Sequence, residues 1–164
     1  MHDRAAQGLA TLALEPEWEA RFEPNSFGFR PGRSCQDAIA QIFEIIKHTP
    51  RYVLDADIAS CFDRIDHKAL LDKITTSAHF ARPIREWLKA GVVDNGIFMP
   101  TEAGTPPGGV LSPLLANIAL HGLEDVVHKA GGPAKHRENG RRIRHTTFCV
   151  RYADDCAPRA QGRP

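Results

Sequence analysis

A period-two pattern in "YVLDADI" puts Tyr52, Leu54, Ala56 and Ile58 on one face of a short strand and Val53, Asp55 and Asp57 on the other. Such a strand delivers carboxylates to one surface of a sheet. Residues 4–14 read as a helix rich in Ala and Leu, interrupted by Pro16 and weakly resumed through Trp18 and Phe22. In "EPNSFGFRPGRS", two Pro and two Gly in twelve residues predict a loop or tight hairpin. Ser34 followed by Asp37 matches a capping box, and Ile39, Ile42, Phe43 and Ile46 recur at helical spacing behind it.

Downstream, Ala69, Leu70 and Ile74 predict a helix after Asp66, and Pro83 is expected to open another that carries Ile84, Trp87 and Leu88 and stops at Gly91. "VVDNGIF" places Asn95-Gly96 between apolar pairs, a hairpin signal. Ser112-Pro113 predicts a helix start ahead of Leu114, Leu115, Ile118 and Leu123. Residues 130–142 read as a polar connection, and "IRHTTFCVRY" as a strand rich in Thr, Val and aromatic residues. Helices interleaved with a few strands predict an α+β fold rather than a regular parallel alternation.

The 164 residues suffice for one domain with a real core, and 42% apolar and 25% charged content is ordinary for a globular chain. No run reaches the roughly 18 to 20 apolar residues that span a bilayer, and "MHDRAAQ" lacks the features of a signal peptide, so a cytoplasmic location with no membrane partner is expected. Cys35, Cys61, Cys149 and Cys156 form no CxxC pair, which leaves a zinc site without support. Net charge is only +1, so any grip on a polyanion must be local. The densest basic cluster is Arg141, Arg142 and Arg144.

Asp57 ends one predicted strand, and Asp154 and Asp155 follow another about a hundred residues later. Neighbouring antiparallel strands would bring these carboxylates to one end of a sheet, where they repel unless cations lie between them. An all-oxygen donor set favours magnesium and points to phosphoryl or nucleotidyl transfer.

Four segments, "ALEPEWEARFEPNSFGFRPGRSCQDAI", "DADIASCFDRIDH", "GTPPGGVLSPLLANIALHGLE" and "VRYADD", resemble the fingers and palm motifs of group II intron reverse transcriptases and maturases, in the family's order, from about Arg4 to Asp155. The resemblance implies a right-hand polymerase fingers and palm fragment over 1–155, with a small antiparallel palm sheet packed on helices. Its implied activity is RNA-directed DNA synthesis with two Mg2+ ions, or Mn2+ in their place, and with intron RNA template, DNA primer and dNTPs as partners. Asp57, Asp154 and Asp155 would be catalytic and would hold the metal with the Ile58 carbonyl. Phe62 would lie beneath the incoming sugar, Arg30 and Arg33 would clasp phosphates, Pro107 and Gly108 would line the nucleotide, and Gly109 with Arg141, Arg142 and Arg144 would meet nucleic acid.

The chain also departs from the family pattern. Pro107 stands where the family carries a glutamine that contacts the nucleotide, and proline offers neither a side-chain donor nor a backbone N–H. Residues 156–164, "CAPRAQGRP", contain no Val, Ile, Leu or aromatic residue where the family continues with an apolar return strand, so a disordered tail is expected there. An impaired or inactive fragment follows, with a non-catalytic RNA-binding maturase remnant as the alternative.

Overall fold

The computed structural model describes residues 2–48, 52–76, 78–94, 97–99, 101, 103–105, 108–131, 135–138, 141–144 and 147–160. In chain order these form α1 (His2–Glu19), α2 (Cys35–Ile46), β1 (Tyr52–Val53), β2 (Ala56–Asp57), α3 (His67–Ile74), α4 (Ala78–Leu88), β3 (Val92–Asp94), β4 (Ile97–Met99), α5 (Ser112–Leu120), α6 (Leu123–Gly131), β5 (Lys135–Glu138), β6 (Arg141–Arg144), β7 (Phe148–Tyr152) and β8 (Asp155–Ala160). This mixture of helices and a small antiparallel sheet is an α+β fold. The chain divides into two units: the start of the chain to Phe22 with Ala59–Leu120, and Glu23–Ile58 with the residues from His121 onward. Among the described residues no helix is long and apolar enough to cross a membrane.

The first unit is helical around one apolar core. Ala10, Leu14 and Trp18 recur every four residues and form the buried stripe of α1. Pro16 was expected to interrupt this helix, but α1 runs through it. The carbonyl that Pro16 leaves without a donor belongs to Leu12, which is exposed, so water can serve it while Trp18 stays buried. Asp66 caps α3 through a 2.6 Å bond from the Ala69 amide, and Leu70 and Ile74 face inward. Pro83 lies inside α4 rather than opening it, and Ile84 and Leu88 are buried beyond it. In α5 every residue from Leu114 to Ile118 is buried. Leu123, expected on this helix, belongs to α6, because Gly122 takes a φ of 94° that a right-handed helix cannot accommodate. Strands β3 and β4 pair with Asp94 opposite Ile97, which is the predicted hairpin register around Asn95 and Gly96, two residues outside the described set.

The second unit holds the larger sheet. The predicted capping box is present: Ser34 Oγ accepts from the Asp37 amide at 3.3 Å, and Asp37 Oδ2 accepts from the Ser34 amide at 2.8 Å. The inner face of α2 differs from the expected one. Ala38, Ile42 and Ile45 meet Phe27 and Val150, whereas Ile39, Phe43 and Ile46 are exposed, Phe43 by 58%. A run with apolar residues on more than one face lets packing partners choose the buried stripe, and here the small Ala38 permits the closer approach.

The sheet is ordered with β1 and β2 on one side of β8 and β7 on the other, all antiparallel. "YVLDADI" therefore forms two short strands in one register, Val53 opposite Arg159 and Ala56 opposite Cys156. The lapse at Leu54 and Asp55 falls opposite Pro158 and Ala157, and Pro158 has no N–H to give to a ladder. The expected absence of a return strand is corrected for Cys156–Ala160, since β8 pairs with β7 from Tyr152↔Asp155 to Phe148↔Arg159. Residues 161–164 lie outside the described set. The connection expected at 130–142 is replaced by the end of α6 and a hairpin, β5 with β6, whose register leaves Asn139 and Gly140 between Glu138 and Arg141. The strand expected over 143–152 is accordingly split between β6 and β7.

Candidate active site

The aspartate positions of "DADI" and "YADD" are made neighbours in the sheet by its register. Asp57, the last residue of β2, is the pairing partner of Asp155, the first residue of β8. One residue on, the Ile58 amide donates to the Asp154 carbonyl at 3.4 Å. Strand β7 enters a two-residue turn, Ala153-Asp154, closed by the pair Tyr152↔Asp155. Ala153 has a φ of 57°, the positive value that tight hairpin turns require at their first position, and an alanine holds it only under constraint from its surroundings.

Asp57 and Asp155 are exposed and Asp154 is half-buried. Electrostatics report the same neighbourhood. Burial pushes the Cys156 thiol above its usual range, the Arg151 charge opposes this, and Asp155, Asp55 and Asp57 add to it. Among the described residues no three His, Cys, Asp or Glu side chains stand together as a metal-holding group. The three carboxylates thus share one end of the sheet without forming a closed cage. Magnesium typically takes only one or two protein carboxylates and completes its shell with water and substrate phosphates, and an oxygen-only set at adjoining strand ends fits that habit.

Other predicted site residues are placed as follows. Arg30 is buried, and its Nη1 donates to the carbonyls of Glu23 at 3.0 Å and Ser26 at 2.7 Å, so these donors serve the loop itself. Arg33 Nη1 donates to the Pro24 carbonyl at 2.6 Å, and its guanidinium lies 5.2 Å from the Phe27 ring centroid. Phe62, in the first unit, is half-buried against that unit's core, and its carbonyl accepts from the Thr105 amide at 2.8 Å. Gly108 has a φ of 73°, which favours glycine, and the Gly109 carbonyl accepts from the Ser112 amide at 3.3 Å. Pro107 lies outside the described residues. Arg141, Arg142 and Arg144 lie on β6, paired with Glu138, Arg137 and Lys135 respectively.

Sequence reasoning missed the residues that surround the turn. Arg151 is only 3% exposed; its Nη1 donates to the Ala153 carbonyl at 2.9 Å and its Nη2 to Ser26 Oγ at 2.7 Å. The backbone of Asn25–Phe27 adds to β7, with the Arg151 amide donating to the Asn25 carbonyl and the Phe27 amide to the Arg151 carbonyl, both at 2.9 Å. Glu23 Oε1 accepts from the amides of Gly122 and Glu124 and so caps α6, while Glu124 accepts from Asn25. The one signal available in sequence was an arginine directly before "YADD".

Cys149, buried on β7, gives a prediction. Burial pushes its thiol up to about 11 from 9.0, with Cys156, Glu124 and Glu23 adding and Arg151 opposing. The folded value exceeds the unfolded one, so the stabilising contribution is complete below pH 9.0 and is lost as pH rises through about 11. At pH 8 a thiol reagent is therefore expected to label exposed Cys35 quickly and Cys149 only on unfolding, read by peptide mass spectrometry.

Residues 1–162 match the family model described as reverse transcriptase (RNA-dependent DNA polymerase). The chain is 35% identical over 136 residues to "Protein YkfC" of Escherichia coli (strain K12), covering 79% of this chain and 36% of that protein. It is 41% identical over 128 residues to "Group II intron-encoded protein LtrA" of Lactococcus lactis subsp. cremoris, covering 76% of this chain and 21% of that protein. With "Nuclear intron maturase 1, mitochondrial" of Arabidopsis thaliana it shares 25% identity over 181 residues, covering 74% of this chain and 25% of the relative. The chain thus spans from about a fifth to about a third of the length of these curated relatives. With the strand ends of "DADI" and "YADD" paired and residues 1–162 of this chain matching the family model, this chain belongs to the group II intron reverse transcriptase and maturase family.

Proposed function

We propose that the chain carries the catalytic core of an RNA-directed DNA polymerase, with the β1, β2, β7 and β8 sheet as the palm of a right-hand polymerase. The observation that carries this reading is the pairing of Asp57 with Asp155, reinforced by the bond from the Ile58 amide to the Asp154 carbonyl. The reaction is nucleotidyl transfer: the primer 3′-oxygen bonds to the α-phosphorus of a dNTP while the bond to the β-phosphate bridge breaks and pyrophosphate departs.

Asp57 and Asp154 would hold two Mg2+ ions, with the Ile58 carbonyl assisting and Asp155 completing the carboxylate set. Bound there, the ions would favour the ionised 3′-hydroxyl and neutralise charge on the departing phosphates. The chain's own contribution is to fix these carboxylates at the paired ends of β2 and β8 and in the turn between β7 and β8. By family resemblance, Phe62 excludes a 2′-hydroxyl, Gly108 lies at the nucleotide, Gly109 and the Arg141, Arg142 and Arg144 cluster meet the intron RNA or the primer duplex, and Arg33 reaches phosphate. Arg30, whose guanidinium is bonded into its own loop, acts by shaping that loop.

Turnover by these 164 residues is slow. Where the family has a glutamine, Pro107 offers no donor, and one lost hydrogen bond to the nucleotide is worth about 1–3 kcal/mol, or roughly a tenfold to hundredfold effect. The test is single-turnover extension of a labelled DNA primer on an RNA template over long incubations. Slow addition of the complementary nucleotide, absent without Mg2+, is expected. RNA binding with no extension under any condition would favour the non-catalytic maturase remnant, and the absence of both would overturn the reading.

A further inference from the structure

The turn that carries Asp154 holds an alanine at positive φ, and nothing within the two-residue turn enforces that conformation. Two neighbours in the same unit bear directly on it. Gly28 lies flat on the turn: a Cβ built on it would overlap the Ala153 amide nitrogen and stand 2.7 Å from the Ala153 Cα, a backbone contact that no side-chain rotation relieves. Arg151 approaches from within the hairpin, and its buried guanidinium links the Ala153 carbonyl to Ser26 Oγ. The Asn25–Phe27 segment is itself bonded to β7, so Ser26 and Gly28 are fixed in register with Arg151.

A buried guanidinium demands partners for its donors, and a planar fork can serve two acceptors in different directions at once. A lysine ammonium in its place is a point charge on a flexible stem and would not hold both in the same geometry. We propose that Gly28, Ser26 and Arg151 are positioning residues that set the conformation of the Ala153-Asp154 turn and thereby the placement of the Asp154 carboxylate. This rests on the reading of Asp57 and Asp154 as metal-binding groups. It assigns a task to the "SFG" stretch of the upstream loop, which otherwise reads only as a connection.

The test uses the full chain and three variants, Gly28→Ala, Arg151→Lys and Ser26→Ala, with Asp57→Asn as a control. Circular dichroism establishes which variants are folded, and Ser26→Ala, which removes a single acceptor, serves if either of the others fails to fold. Two measurements follow: hydrogen exchange at the amides of Tyr152–Cys156, and Mn2+ affinity by electron paramagnetic resonance titration. The positioning variants are expected to exchange faster across the turn and to bind Mn2+ about ten- to a hundredfold more weakly, the range typical when groups that orient metal ligands are removed. Asp57→Asn is expected to lose Mn2+ affinity with turn exchange unchanged. Faster exchange with unaltered Mn2+ affinity would reduce the three residues to a structural role and overturn the proposal, as would unchanged exchange in folded variants. Undiminished Mn2+ binding by Asp57→Asn would instead overturn the metal-site reading, leaving the exchange data to judge the turn by themselves.

Discussion

Replacing Asp154 with asparagine is expected to lower the rate of nucleotide addition by at least about a thousandfold, whereas Asp155→Asn should cost roughly tenfold. The amide keeps the size of the side chain and removes the charge that would hold a divalent ion. Loss of the charge stabilisation an ion provides removes several kcal/mol, and each 1.36 kcal/mol is tenfold in rate. Asp154 is half-buried at the tip of the β7–β8 turn, where its backbone also meets Ile58; Asp155 is an exposed residue of β8 that completes the set from beside Asp57. Single-turnover extension at saturating Mg2+ checks the ratio. Equal effects of the two substitutions would mean that Asp155 ligates as directly as Asp154.

The largest expected effect on stability lies in the other unit. Ile118 is fully buried in α5, inside a core that includes Leu70, Ile74, Ile84 and Leu88. Ile118→Ala leaves a cavity that the surrounding helices close only in part, and such truncations cost about 2–5 kcal/mol. Native chains of this size have a total stability of only about 5–15 kcal/mol, so the variant should lose a substantial fraction of it. Urea denaturation should show a lowered midpoint with little change in slope. Leu12→Ala on α1, where the side chain is 70% exposed, is the matched control and should change the midpoint little.

The capping box of α2, the helix after Asp66 and the β3–β4 hairpin were all legible in the sequence, because each depends on residues only a few positions apart. The carboxylate site was legible in part. Period-two alternation placed Asp57 on a strand, but only the shared register of β2 and β8 sets it opposite Asp155. Strand β8 was not legible at all. "DCAPRA" has no strand preference of its own, and its extended conformation comes from partners on both sides, β7 on one and β1 with β2 on the other. The β5–β6 hairpin did carry a local signal, Asn139-Gly140 between basic runs, which charge made easy to read as a solvated connection. Arg151 could not be placed from sequence either, since arginine is nearly always exposed unless specific partners await it, and its partner Ser26 is 125 residues away.

Asp57 at the end of β2 and Asp154 in the β7–β8 turn, brought together from distant parts of the chain, are expected to hold divalent ions between them. Anomalous diffraction from crystals grown with Mn2+, a primer–template duplex and a nucleotide measures this directly. The predicted result is two anomalous peaks about 3.5–4 Å apart, flanked by the carboxylates of Asp57 and Asp154 at strand ends β2 and the β7–β8 turn. Peaks elsewhere in the molecule, with these two carboxylates turned to opposite faces of the sheet, would contradict it.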